Sequence, residues 1–160
     1  MTGGREMKFT ESNVLLDCNM DTKIEMLEYI ANHAVTIGVT NDKEQLLQDF
    51  LLRESEGTTG FQDGFAIPHA KSESISQATV IYARNNSGLK DWETLDDVDV
   101  SQIFALLVPK NEQGTKHIEM LSKLATALME DDFKQQVTKL VDKKELAKII
   151  DNEMNGVEAL

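Results

Sequence analysis

The sequence predicts an α/β fold: a three-layer sandwich in which a small mixed β-sheet carries helices on both faces. Three observations predict it. Residues 103–108, "IFALLV", are apolar throughout, as a central strand covered on both faces must be. Residues 79–84, "TVIYAR", alternate in strand fashion with β-branched and aromatic side chains. Helical patterns stand in pairs before and after this run of strands, and such bracketing stacks helices on both sides of one sheet.

Taken in order, "NVLLDC" (13–18) reads as a short strand or an extended lead-in. A helix follows. Thr22 and Glu25 fit a capping box, Ile24, Leu27, Ala31 and Ala34 form an apolar stripe, and Gly38 fits the stop. Asn41 and Glu44 can cap a second helix with Leu46, Leu47, Phe50 and Leu51 inside and Arg53 in its last turn. Gly57, Gly60 and Gly64 break the chain into an irregular loop. Extended structure resumes at "FAIPH", continues in the two strands above, and meets a turn at "LDDVD" (95–99) between them. Pro109 and the polar run "KNEQG" end the last strand. Residues 115–130 read as a helix with His117, Leu121, Leu124 and Leu128 on one side. Helices around "DFKQQVTKLV" and "DKKELAKIID" finish the chain, the second opening on Asp142 and Glu145 as a capping box.

The 160 residues, 41% of them hydrophobic, suit one domain over 1–160 with an ordered core of about 9–152. Two prolines and nine glycines argue against long disordered linkers. The start, "MTGGREMKFT", lacks the apolar region of a signal peptide and reads as frayed. No apolar run approaches the roughly 20 residues of a membrane span. A single cysteine, Cys18, makes no internal disulfide, which fits a reducing, cytoplasmic setting; the residue reads as packing. The net charge of −12 repels nucleic acid, anionic lipid and free phosphorylated metabolites, and favours basic protein partners.

Three histidines are present. His69 follows Pro68, whose fixed φ pushes Ile67 toward extended geometry. Gly64 and Ala66 remove bulk nearby. The imidazole is either a surface group after a strand-ending proline or an aimed nucleophile, and the glycine-rich surroundings favour the second. His117 lies in the first turn of its helix. There it either covers the Leu121–Leu124 stripe or donates to a phosphoryl oxygen beside the helix N-terminus. His33 is assigned to packing. Arg53 is a guanidinium fork suited to a phosphoryl group or an ordinary helix-ending cation, with Glu54 and Glu56 as possible partners. Thr58, Thr59 and Gly60 offer hydroxyls and N–H groups for an anion nest or for a plain turn. Lys71 reads as solvated. No phosphate-binding Gly-x-x-x-x-Gly-Lys-Ser/Thr run and no zinc spacing occurs.

The stretch "TTGFQDGFAIPHA" (58–70) resembles the active-site segment of the fructose/mannitol-type enzyme IIA components of the bacterial phosphoenolpyruvate-dependent sugar phosphotransferase system. "LLRES", "DWETLDDVDV" and "IFALLVPKNEQGTKHIEMLSKLA" extend the resemblance from about Val14 to Ile150. The resemblance implies a single IIA-type domain with His69 as nucleophile and phosphoryl carrier through Nε2. It implies His117 as a second histidine on the phosphoryl oxygens, Arg53 as the arginine near the site, and Thr59 as the loop threonine. It implies no cofactor and no metal, since Arg53, His117 and loop N–H groups supply the charge. The implied partners are the phosphocarrier protein HPr as donor and the cysteine of a IIB component as acceptor. Contact with a membrane IIC component would run only through IIB. Asp63 departs from the family pattern and adds negative charge near the expected phosphate. Two other readings keep the same fold: a nitrogen-type regulatory IIA protein and a non-catalytic binding domain.

Overall fold

The computed structural model describes residues 9–111 and 116–155. Residues 1–8 of the expected frayed start and the end of the "KNEQG" run lie outside the described residues. The last two residues of that start are fixed, Phe9 being buried and Thr10 capping the turn that follows. A 3-10 turn at Glu11–Asn13 leads into β1 (Val14–Cys18), α1 (Lys23–Thr36) and α2 (Lys43–Ser55). Two short strands follow, β2 (Phe65–Ala66) and β3 (His69–Ser72), then the long β4 (Thr79–Leu89) and β5 (Val100–Pro109). Helices α3 (Lys116–Ala127), α4 (Asp131–Lys139) and α5 (Lys143–Asn155) close the chain. The sheet runs β1-β4-β5-β2, with β3 also on β5. β4 and β5 are antiparallel; β1 on β4, and β2 and β3 on β5, are parallel. This is the mixed sheet of a three-layer sandwich.

The pleat sorts the two central strands between two cores, because successive side chains point to opposite faces. Ile81, Ala83, Ile103, Ala105 and Leu107 pack with α1 and α2. Val80, Tyr82, Phe104, Leu106 and Val108 pack with α3, α4 and α5. Both faces of β5 are thus buried, which is why its sequence shows no polar alternation. Burying each such side chain contributes about 1.5–3 kcal/mol.

The helix boundaries differ from expectation in detail. Thr22 Oγ1 accepts the Glu25 N–H at 3.2 Å, but Glu25 reaches back to the Asp21 N–H at 2.8 Å. The buried face of α1 is Met26, Leu27, Ile30, Ala31 and Ala34, while Ile24 is 51% exposed. The cap of α2 is Asp42, which accepts the Gln45 N–H at 3.1 Å, one residue beyond the expected Asn41. Thr40 fixes that entry point. It is bridged to Ile75, and its hydroxyl accepts the Asp42 N–H at 3.1 Å. Cys18 is buried; burial raises its thiol to about 11, so little thiolate exists at neutral pH.

The edge that positions the candidate site is built from "TTGFQDGFAIPHA". β2 and β3 are two pieces of one edge strand, interrupted at Ile67–Pro68. The Pro68 carbonyl keeps the ladder going by accepting the Leu106 N–H at 2.9 Å. Proline has no N–H to donate toward β5, so the ladder loses one rung there and the edge strand divides into two pieces. The outer side of the strand is covered by the preceding loop. Ile67 N–H donates to Thr59 O at 3.0 Å and Phe61 N–H to Phe65 O at 2.8 Å. The reversal between them uses left-handed backbone at Asp63 (φ 59°) and Gly64 (φ 87°).

Candidate functional site

His69 opens β3 opposite Leu106. Its Nδ1 lies 3.0 Å from Ile67 O, and Arg53 Nε lies 2.9 Å from its Nε2. A carbonyl can only accept and a guanidinium can only donate. The proton therefore sits on Nδ1, and Nε2 presents its lone pair. Burial pushes the imidazole below its ordinary pKa of 6.5. The Ile67 carbonyl opposes this, Arg53 and His117 reinforce it, and Glu54 opposes it. The ring is neutral at pH 7, the state a nucleophile needs.

Arg53 comes from the last turn of α2. Its second tether is Nη1–H to Gly57 O, 2.7 Å. Gly57 holds φ at 149° just after the helix, a conformation open to glycine. The adjacent Glu54 turns the other way. Its side chain is only 6% exposed, and it collects three donors: Lys23 Nζ at 3.3 Å, the Thr59 N–H at 3.3 Å, and the Thr59 hydroxyl. Lys23 also stands 5.7 Å from the centre of the buried Trp92 ring, a cation–π distance. So Glu54 pairs with Lys23, across 31 residues of sequence, and not with Arg53.

The donors of the loop that the sequence offers to an anion have partners inside the fold. Thr59 is buried and spends its hydroxyl and N–H on Glu54. The Thr58 hydroxyl donates to Glu93 O at 2.7 Å, and the Gly60 N–H donates to Thr58 Oγ1 at 3.1 Å. Gly60 is required for a close approach: a Cβ there would lie 1.9 Å from Glu93 O. Leu95 N–H completes the backing by donating to Phe61 O at 2.8 Å. In this arrangement Thr58, Thr59 and Gly60 fix the loop against the 92–95 segment and against α2.

His117 sits in the first turn of α3, half-buried. It is close enough for its charge to act on His69. Its Nδ1 is buried, with no hydrogen-bond partner among the described residues. Asp63 is engaged in a 2.6 Å ion pair with Lys134 of α4. His33 is remote from this group; its Nε2 lies 2.6 Å from Ser12 O. An open cleft of about 340 Å³ lies beside His69 and Arg53, with Leu52, Lys71 and Lys110 also in its walls.

Sequence reasoning joined His69, Arg53 and His117. It missed Glu54 as the hub of the loop, along with Lys23, Glu93 and Lys110. A carboxylate directly after the site arginine was the one local signal available; the other contacts join residues far apart in the chain.

Fold and chemistry together define a class of protein: an α/β phosphoryl-carrier domain. Residues 7–153 match the family described as "Phosphoenolpyruvate-dependent sugar phosphotransferase system, EIIA 2", and the chain belongs to that family. It is an EIIA phosphoryl-transfer component. A PTS system fructose-specific EIIA component of Haloferax volcanii is 33% identical over 129 residues, covering 81% of this chain and 82% of that one. A PTS system fructose-like EIIA component of Escherichia coli (strain K12) is 30% identical over 128 residues, covering 80% and 85%. Among solved structures, the nitrogen regulatory protein IIA-Ntr from Neisseria meningitidis superposes with a TM-score of 0.80 at 25% identity, covering 91% and 96%. The Escherichia coli complex of enzyme IIAMtl with phosphorylated enzyme IIBMtl superposes with a TM-score of 0.74 at 20% identity, covering 90% and 97%. The second likeness shows the shared fold.

Proposed function

We propose that His69 is the residue that carries the phosphoryl group. Its Nε2 accepts the group from the phosphohistidine of HPr and passes it to a cysteine of a IIB component. The observation that carries this reading is the pair of hydrogen bonds that fixes the His69 tautomer, Ile67 O on Nδ1–H and Arg53 on Nε2. The Nε2 lone pair forms the new bond to phosphorus as the donor's P–N bond breaks, and that electron pair returns to the donor nitrogen. The His69 Nδ1–H stays on Ile67 O, where the carbonyl supports the positive ring of the product. In the onward step a thiolate attacks phosphorus and Nε2 recovers its lone pair.

Such a transfer needs alignment and charge stabilisation more than covalent help. Arg53 must give up Nε2 as the bond to phosphorus forms, and its fork then meets the phosphoryl oxygens. His117 supplies hydrogen-bonding capacity that the described residues leave unspent. Thr58, Thr59 and Gly60 act by holding the loop, through Glu54 and Glu93, so that strand and arginine keep their alignment. The whole chain then works as a single domain of a cytoplasmic relay. The IIB partner is supported by the Escherichia coli IIAMtl–IIBMtl complex, whose IIA chain shares this fold. It is also supported by fused relatives such as the Bacillus subtilis fructose-specific EIIABC component, of which this chain covers 21%. The fructose-specific and fructose-like relatives support a fructose-type sugar. Likeness to IIA-Ntr keeps a second reading, a regulator working by the phosphorylation state of the same histidine.

The test is to incubate the protein with phosphoenolpyruvate, enzyme I and HPr and to record intact mass. The expected result is one added phosphoryl group, absent in His69→Ala. Transfer onward to a IIB cysteine separates the carrier from the regulator. Phosphorylation that persists in His69→Ala overturns the assignment.

A further inference from the structure

In a chain of net charge −12, the cleft beside His69 gathers three cations, Arg53, Lys71 and Lys110, against two carboxylates, Asp49 and Glu56. Lys71 lies two residues after His69 in β3, so the two side chains leave the same face of the strand. Lys110 follows the end of β5, and its N–H donates to Ser72 O at 3.0 Å, which ties it beside Lys71 at the adjoining strand ends. Both lysines are exposed. Among the described residues neither is held in an ion pair, unlike Lys23, Lys43 and Lys134. Two uncommitted ammonium groups flanking a neutral histidine are suited to a dianion that arrives on that histidine.

We propose that Lys71 and Lys110 are phosphoryl-binding residues of this site: they hold the oxygens of the group on His69 Nε2 from the open side of the cleft, opposite the guanidinium. The inference rests on the proposed role of His69. It adds a source of charge stabilisation that does not depend on the partner protein.

A small phosphoramidate donor tests it without HPr or IIB. In that reaction His69 Nε2 bonds to phosphorus, and the donor's P–N bond breaks with its electron pair leaving on ammonia, already protonated in the zwitterion. Wild type, Lys71→Gln, Lys110→Gln, the double Gln variant, the double Arg variant and His69→Ala are compared. The readouts are the rate of phosphoryl gain by mass, the 31P chemical shift of the phosphohistidine, and the salt dependence of the rate. The double Gln variant is expected to be slower by about tenfold, the scale of two solvent-open cations acting on a dianion, with a moved 31P signal and a weaker salt dependence. The double Arg variant restores all three; a purely structural role for the lysines would not track charge in this way. Equal rates, shifts and salt responses in wild type and the Gln variants overturn the lysine proposal and leave His69 standing. A wild type that gains no phosphoryl group on His69 overturns both.

Discussion

Arg53 donates its Nε–H to His69 Nε2 at 2.9 Å, so the guanidinium guards the lone pair that must form the bond to phosphorus. The contact holds the ring in its reactive tautomer, and the same cation helps keep it unprotonated. Replacing Arg53 by Gln should lower phosphoryl transfer about 10²-fold, the usual cost of one preorganised donor to developing charge. It should also raise the His69 pKa, because a positive neighbour that lowers it is gone. Stopped-flow transfer and an NMR titration of the imidazole check the two parts. A pKa that stays put would show that the arginine does not face the ring in solution.

The depressed His69 pKa has a defined consequence for pH. Between the folded value and the ordinary 6.5, the unfolded chain binds more protons than the native one, so stability rises with pH. The contribution is complete above 6.5 and is lost as pH falls through the folded value. Wild type should therefore lose stability relative to His69→Gln as the pH is lowered from about 7 to about 5, the range in which histidines titrate. Phosphoryl uptake should fall in the same window as the nucleophile becomes protonated. Urea unfolding of both proteins across pH measures the difference; a constant gap would contradict the buried, neutral imidazole.

Thr59 and Glu54 connect the loop to α2. Thr59→Val removes the hydroxyl that donates to the buried carboxylate and should cost about 2 kcal/mol, the range for hydrogen bonds to charged groups. Transfer should fall with it, since the hairpin that carries His69 is pinned at Thr59. Denaturant unfolding with an unchanged m-value gives the energy. A loss under about 0.5 kcal/mol would place that variant among ordinary surface changes and remove the loop anchor.

His117→Ala should keep the fold, because the residue is half-buried at a helix start, and should weaken onward transfer to IIB. Circular dichroism and quench-flow transfer report these separately. An unchanged transfer rate would remove His117 from the site.

Much of this was legible in the sequence. The apolar run at 103–108 and the β-branched and aromatic residues at 79–84 mark β5 and β4 because both strands are buried between two helical layers. Pro68 and the three loop glycines mark the place where the edge strand breaks and the chain reverses. What stayed hidden depends on contacts across long sequence distances. Glu54 meets Lys23, and Gly60 fits under Glu93, through approaches that leave no periodic trace. Ile24 fell in the apparent stripe of α1 but lies outside, since the layer packing turned the helix toward Met26 and Ile30. Asp63 carries a charge that local reading set against the phosphate, whereas α4 brings Lys134 to neutralise it.

The central claim is that the fold offers His69 Nε2 as an unprotonated lone pair, held by Arg53, by fixing the proton on Nδ1. Long-range 1H–15N NMR of the imidazole, recorded before and after phosphorylation, reads this directly. The expected result is the Nδ1–H tautomer in the resting protein and a phosphorus bond at Nε2 in the product. A resting proton on Nε2, or a phosphoryl group on Nδ1, would contradict it.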